Sequence, residues 1–277
     1  MDSLRRALAE LDRRSPVLAR VGWAQLVVLA GLLVASRLDD TLVLGVPWWV
    51  KPARFLLSST FYVWTLAWLL PFVRWPGRLR GLVAHLTAWV LVAENTAIVA
   101  QAARGVRSHF NIETTLDAAV FSGMGLLIGV NTLVQLVFLG LLLGRPAEGP
   151  DLTARSGARF GAAFALLGSA LGFVMIAQGG HSVGAPDGGA RLPLLGWNAA
   201  AGDLRIAHAL ALHGFQLVPL AAALAARWGA GWPEPRRRAL VRAAAALLLL
   251  AVAATLAQAL AGRPLWVTGD APVVAAG

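Results

Sequence analysis

AWVLVAENTAIVAQAARG, residues 88–105, decides how this chain is read. On a water-soluble helix an acid such as Glu94 would mark a solvated face, with polar residues recurring every third or fourth position. Here the residues before it are apolar all the way round, and Asn95, Thr96 and Gln101 are its only uncharged polar company. The run continues back to residue 82, so it reaches the roughly 20 apolar residues that a bilayer demands of a helix. The whole chain agrees: over 277 residues the mean hydropathy is +0.67 and charged residues make up 14%, against about 25% in ordinary soluble domains.

Working outward from that run, seven apolar stretches qualify as spans: residues 17–36, 55–73, 82–103, 117–143, 158–178, 204–226 and 239–261. The expected fold class is therefore all-α: a polytopic membrane protein with seven transmembrane helices. Residues 1–16 form a separate interfacial unit, since Leu4, Leu8 and Leu11 recur at helical spacing among Arg5, Arg6, Arg13 and Arg14 before Pro16 stops the pattern. Residues 17–262 form the membrane domain, and 263–277 a tail. Glycines four apart, Gly125 with Gly129, Gly157 with Gly161 and Gly168 with Gly172, predict close helix packing.

The net charge of +10 and pI near 11.6 would suit a nucleic acid only with basic residues clustered on a solvated surface. Between apolar runs they are topology signals, and no nucleic-acid partner is expected. Sixteen of the 24 basic residues fall in the amino-terminal arm and in alternate connections, eight on the other side. That bias places the amino terminus in the cytoplasm and the carboxyl terminus outside. Trp48, Trp49 and Trp197 then belong to the outer aromatic belt, and Trp75, Trp228 and Trp232 to the inner one. Arginine outnumbers lysine 23 to one, as GC-rich bacterial coding would produce, so the expected location is a bacterial cytoplasmic (inner) membrane. The absence of cysteine excludes disulfides and thiolate metal centres.

Outward, the longest connection is GGHSVGAPDGGARLPLLGWNAAAGDLR, residues 179–205. Its glycines permit tight turns, and a connection of this length is commonly functional, so it reads as a lid. The site beneath it is expected from the few ionisable groups in the spans. Glu94 is the only acid in the interior of one, Asp117 standing at the first position of another, and a lone carboxylate there costs about 2.5–3.5 kcal/mol. In the sixth span Arg205, His208, His213 and Gln216 share one arc at about 100° per residue, with Asp203 opposite. Glu94 and His213 each lie about 14 Å below the outer ends of their helices, which predicts that they meet, with Gln101 near His208 above them.

Two function classes follow. One is a metal- or cofactor-dependent membrane enzyme, with Glu94, His213 and Arg205 as catalytic groups and His208, His213, His181 and Glu94 as ligands; nitrogen and oxygen donors suit zinc, iron or copper. Haem would require His208 or His213 paired with His109 or His181. The other is a proton-coupled transporter or a sensor of a small solute using the same residues. Gln101, His109, Asp187, Lys51 and Gln216 are secondary candidates, and His85, on the far face of its helix, is set aside as structural. Expected partners are the bilayer and a small-molecule or lipid substrate from the outer side. The last span carries neither a lysine for a retinal Schiff base nor the histidine pair of alkaline-ceramidase-like hydrolases.

Overall fold

The computed structural model describes residues 2–188, 191–192 and 195–266. The side chain of Leu4, the backbone of Gly189 and the tail from 267 onward, all used in the sequence reading, lie outside the described residues. The structure is 72% helix, and seven of its helices are long and apolar enough to cross a membrane. A short amphipathic helix, α1 (Asp2–Arg14), precedes α2 (Pro16–Ala35), α3 (Val50–Leu69, continued by a 3₁₀ turn at Leu70–Phe72), α4 (Leu79–Ala103), α5 (Thr115–Gly144), α6 (Leu152–Gln178), α7 (Leu204–Trp228) and α8 (Glu234–Leu260).

Helices begin earlier than the apolar runs. α3 starts at Val50, α6 at Leu152 and α8 at Glu234, because a hydrophobic stretch reports the hydrocarbon layer, whereas a helix continues through charged turns above it. Pro52 and Pro235 sit in first turns, where a missing N–H costs nothing. Caps fix several starts: Thr114 Oγ1 accepts from Asp117 N, and Asp151 Oδ1 accepts from Ala154 N at 2.7 Å. Gly179, at φ +73°, closes α6.

The bundle has an apolar core like that of a soluble protein, but its surface is apolar as well and its interior admits polar side chains. Trp89, Leu126 and Leu247 stand 72%, 75% and 68% exposed, on the surface that lipid covers, while Gln25, Thr60, Glu94, Asn95, Gln101, Gln135 and Ser169 are buried. Trp48 corrects the belt assignment: it is buried against Leu32, Leu56 and Ala102 and is not an interfacial anchor.

α6 and α7 make the closest helix pair. A Cβ on Gly157 would lie 2.5 Å from Ala222 Cβ, on Gly161 2.9 Å from the Pro219 ring, and on Gly168 2.6 Å from Leu212 Cδ2. Gly161 also faces the Phe215 carbonyl, which loses its helical donor at Pro219. The expectation fails for Gly125 and Gly129, which have open space where a Cβ would stand. Four-residue spacing aligns small residues on a face; it does not bring a neighbour to that face.

At one end of the bundle two short hairpins complete the fold. β1 (Leu42–Val43) pairs with β2 (Val46–Pro47) through a turn in which Leu44 and Gly45 both have positive φ. β3 (Ser182–Val183) pairs with β4 (Gly202–Asp203) and rests on the end of α8. A Cβ on Gly202 would run into the Ala259 carbonyl, and Gly184 packs on Gly262.

Candidate functional site

The described residues of the 179–203 connection form a folded cap built around two carboxylates and an amide. Asp187 accepts from the backbone N–H groups of His181 and Ser182. Asn198 Oδ1 accepts from Ala200 N and Ala201 N, and its amide donates to Ser182 Oγ. Asp203 is the anchor. It accepts from Asn198 N at 2.8 Å, caps α7 through Arg205 N, and receives the Arg205 guanidinium at 2.5 Å. Arg205 Nη2 also donates to Gly196 O at 2.6 Å, while Arg54, on α3, donates to Leu195 O. Two guanidinium groups thus grip consecutive carbonyls of one strap.

Asp203 does not stand opposite Arg205, as the helical projection placed it. Its φ −134°, ψ 107° is an extended N-cap conformation, so 100° per residue does not reach back to it. Burial opposes its charge, but the Arg205 hydrogen bond and the Arg205 charge hold the carboxyl below its usual value. Asp187 likewise stays low, burial being outweighed by the Ser182 hydrogen bond and the His181 contact. His181 lies 3.3 Å from Asp187 and 3.7 Å from Asp203 through Nδ1. Burial, helped by the Arg205 charge, nevertheless drives its imidazole down to about 4, against the pull of the two aspartates.

Beneath the cap, Lys51 Nζ lies 3.2 Å from His109 Nδ1. An ammonium only donates, so His109 accepts there and carries its proton on Nε2. Burial first, then the charges of Lys51 and His208, push His109 well below the ordinary histidine range, so it is neutral. His208 Nδ1 lies 2.7 Å from Gly168 O; a carbonyl only accepts, so Nδ1 donates. Phe55, Phe110 and Phe121 surround the His109 ring.

Glu94 is 4% exposed, and its Oε1 has no hydrogen-bond partner. The opposite charge that acts on it comes from Lys51. The expected partnership with His213 and Gln216 is not formed: no hydrogen bond joins Glu94 to either among the described residues, and with its amide nitrogen turned inward Gln216 meets the His213 and Leu212 carbonyls of its own helix. The side chain beside Glu94 is instead Asn95, which donates to Ser59 Oγ of α3 at 2.8 Å. Asn95 thereby ties this turn of α4 to α3.

Gln101, expected near His208, makes its hydrogen bonds to other residues. It is buried and donates to Asp117 Oδ1 at 2.8 Å, where Arg104 and Thr114 converge as well, a structural knot tying α4 to the start of α5. His213 is half-buried and makes no side-chain hydrogen bond among the described residues. His85 bonds Gly81 O of its own helix.

The four proposed metal ligands are not brought together. Among the described residues no three His, Asp or Glu side chains converge as a metal site. A small cavity does exist, but it is apolar and lies between α3, α5, α6 and α7, lined by Tyr62, Phe138 and Phe215 among others. Sequence reasoning placed Asp203 away from the site, and it read Arg54 only as a residue following Lys51 at the outer mouth of its helix, where Lys51 was considered for anion binding. Arg54 was legible as the residue one turn after Lys51, whereas the strap that joins it to Arg205 depends on tertiary structure.

Compared with protein-family models, curated proteins and solved structures, the chain matches none.

Proposed function

We propose that the chain is a multi-pass protein of a bacterial cytoplasmic membrane, its capped end outward, that binds a small solute there and couples binding to proton exchange at Glu94. The observation carrying this reading is a buried carboxylate whose Oε1 has no hydrogen bond. A fixed structural acid is expected to be paired and hydrogen-bonded, because an uncompensated ion in such a site costs several kcal/mol. Asp117 and Asp203 meet that requirement and Glu94 does not. Its proton occupancy is therefore free to respond to whatever else enters. The charged group that acts on it is Lys51 on α3, which in turn meets neutral His109 from the 104–114 connection. The orientation rests on the arginine bias between alternate connections.

A metal-dependent enzyme on the same residues has no comparable support, since the histidines do not converge.

Infrared difference spectroscopy of the full chain in lipid nanodiscs tests the proposal. A carboxylic-acid band should appear and disappear across about pH 4–9, vanish in Glu94→Gln, and shift its midpoint in Lys51→Gln. A Glu94 whose band never changes over that range is a fixed acid, and the proton-coupled reading falls. Reporter fusions to the 145–159 connection check orientation: a reporter active only outside the cytoplasm must stay dark there.

A further inference from the structure

Most ion pairs of this bundle match a cation with an acid. Arg205 has Asp203, Arg104 has Asp117, Arg107 has Glu113, Arg237 has Asp151 and Arg238 has Glu234. Among the described residues, Lys51 and Arg54 at the capped end do not follow this pattern. Lys51 donates to the neutral imidazole of His109, and Arg54 donates to a backbone carbonyl, Leu195 O. They stand three residues apart on α3, hence on one face, and Arg54 is exposed. Arg205 completes the group from α7, since its Nη2 bonds Gly196 O, the carbonyl next to the one that Arg54 holds. Gly196 has φ +61°, and a Cβ there would lie 3.7 Å from Arg54 Nη2, so no side chain separates the arginine from the strap. Arg205 is paired with Asp203 through Nε and Nη2, so the unmatched charge is that of Lys51 and Arg54, and no ion pair joins Glu94 to any of the three among the described residues. Positive charge is therefore in surplus where the capped end opens.

From this arrangement we propose that Lys51 and Arg54, flanked by Arg205, bind the oxyanion head of a ligand, a carboxylate or a phosphate. The planar arginine fork presents paired donors to such a group, and the lysine adds a compact point charge. The proposal deepens the solute-binding reading above by naming the chemistry of the solute, and it shares only Lys51 with the proton-exchange half of that reading. The same chemistry has two sources: a free anion from the aqueous side, or the phosphate of an anionic lipid at the helix end.

The probes are inorganic phosphate and acetate, titrated at constant ionic strength into the full chain in nanodiscs of phosphatidylcholine, with tryptophan fluorescence and thermal melting as readouts. Trp48 and Trp49 lie next to α3 and report on the site. A free solute gives saturable binding by one of the two anions, weakened about tenfold or more in Arg54→Gln and in Lys51→Gln and unchanged in Arg37→Gln, an exposed arginine of the connection after α2. A headgroup gives no response to free anions in neutral lipid. Instead, phosphatidylglycerol is retained by the wild-type chain in native mass spectrometry and lost in Arg54→Gln. Because Arg54→Gln also gives up the bond to Leu195 O, binding is scored as the ligand-induced shift from each variant's own ligand-free melting profile, and Arg54→Lys, which keeps the charge but not the fork, should recover binding in part. Absence of both free-anion binding and selective lipid retention makes Arg54 an ordinary interfacial arginine and overturns the proposal. Glu94→Gln separates the two readings: anion binding that persists there, with no pH-dependent carboxyl band in the wild type, leaves the oxyanion site standing and removes the proton coupling.

Discussion

The α6–α7 seam and the capped end of the same two helices are built on opposite terms. Along the seam, Gly157, Gly161 and Gly168 let α7 approach until shape alone decides the fit, and no ionisable group sits at these three contacts. At the capped end, shape gives way to hydrogen bonds. Asp203, Asp187 and Asn198 use their acceptors fully, whereas Glu94, Lys51 and Arg54 are left without a charged partner in contact. The seam has nothing left over, and the capped end does. In a membrane protein such a remainder is expensive to keep, which is why the functional reading rests there.

The largest test of the contrast is steric. Gly168→Leu should destabilise the bundle by about 3 kcal/mol, since its Cβ would meet Leu212, backbone nitrogen included. Gly125→Leu, on the face with open space, should change stability by no more than about 0.5 kcal/mol. Thermal unfolding in matched detergent compares the two, and equal losses would mean that α5 has a neighbour that the bundle does not display.

Next comes the anchor of the cap. Asp203→Asn leaves the Arg205 guanidinium without its counter-charge and should cost about 2 kcal/mol. The loss should appear as faster amide hydrogen exchange in residues 180–203 with little change in α6. Uniform exchange across α6 and α7 would show that cap and seam are one cooperative unit.

Acid should loosen the cap ahead of the seam. His181 is held down to about 4, so between its unfolded value near 6.5 and that point the unfolded chain takes up a proton that the folded cap refuses. Stability is fully present above about pH 6.5 and falls as pH drops toward 4. The lowered Asp187 and Asp203 act in the same direction at still lower pH. His181→Gln should flatten the pH 6.5 to 4 portion of exchange in the cap by about 1–2 kcal/mol, and an unchanged pH profile would assign the acid sensitivity to other groups.

The smallest effect is the most telling. Glu94→Gln should leave the melting temperature unchanged or raise it, within about 1 kcal/mol, because the carboxylate has no hydrogen bond to lose. A marked loss of stability would reveal a structural acid.

What the residues disclosed in advance follows from the kind of physics each feature obeys. Span number and position were legible because hydrocarbon thickness selects long apolar runs one at a time, with no need to know the neighbours. Partnership was not. The helical projection put Glu94 on a polar stripe correctly, yet a projection names a face and not the helix that covers it. Asp203 was misplaced because capping residues leave helical geometry. The Gln101 knot did have a signal, since Thr114 and Asp117 are spaced as a capping box that fixes where α5 begins. The meeting of Arg54 and Arg205 on adjacent carbonyls had none, because it joins residues 54, 195–196 and 205 through tertiary structure.

The hairpin of the cap rests against Ala259, at the far end of the last helix. A ribosome delivers this chain from its amino end, so α6 and α7 can zip together along their glycines while α8 is still being made, but β3 and β4 have no floor until it arrives. The capped end is thus the last part of the molecule to be finished. A nascent chain halted before α8 would present a completed helical hairpin carrying an open crown.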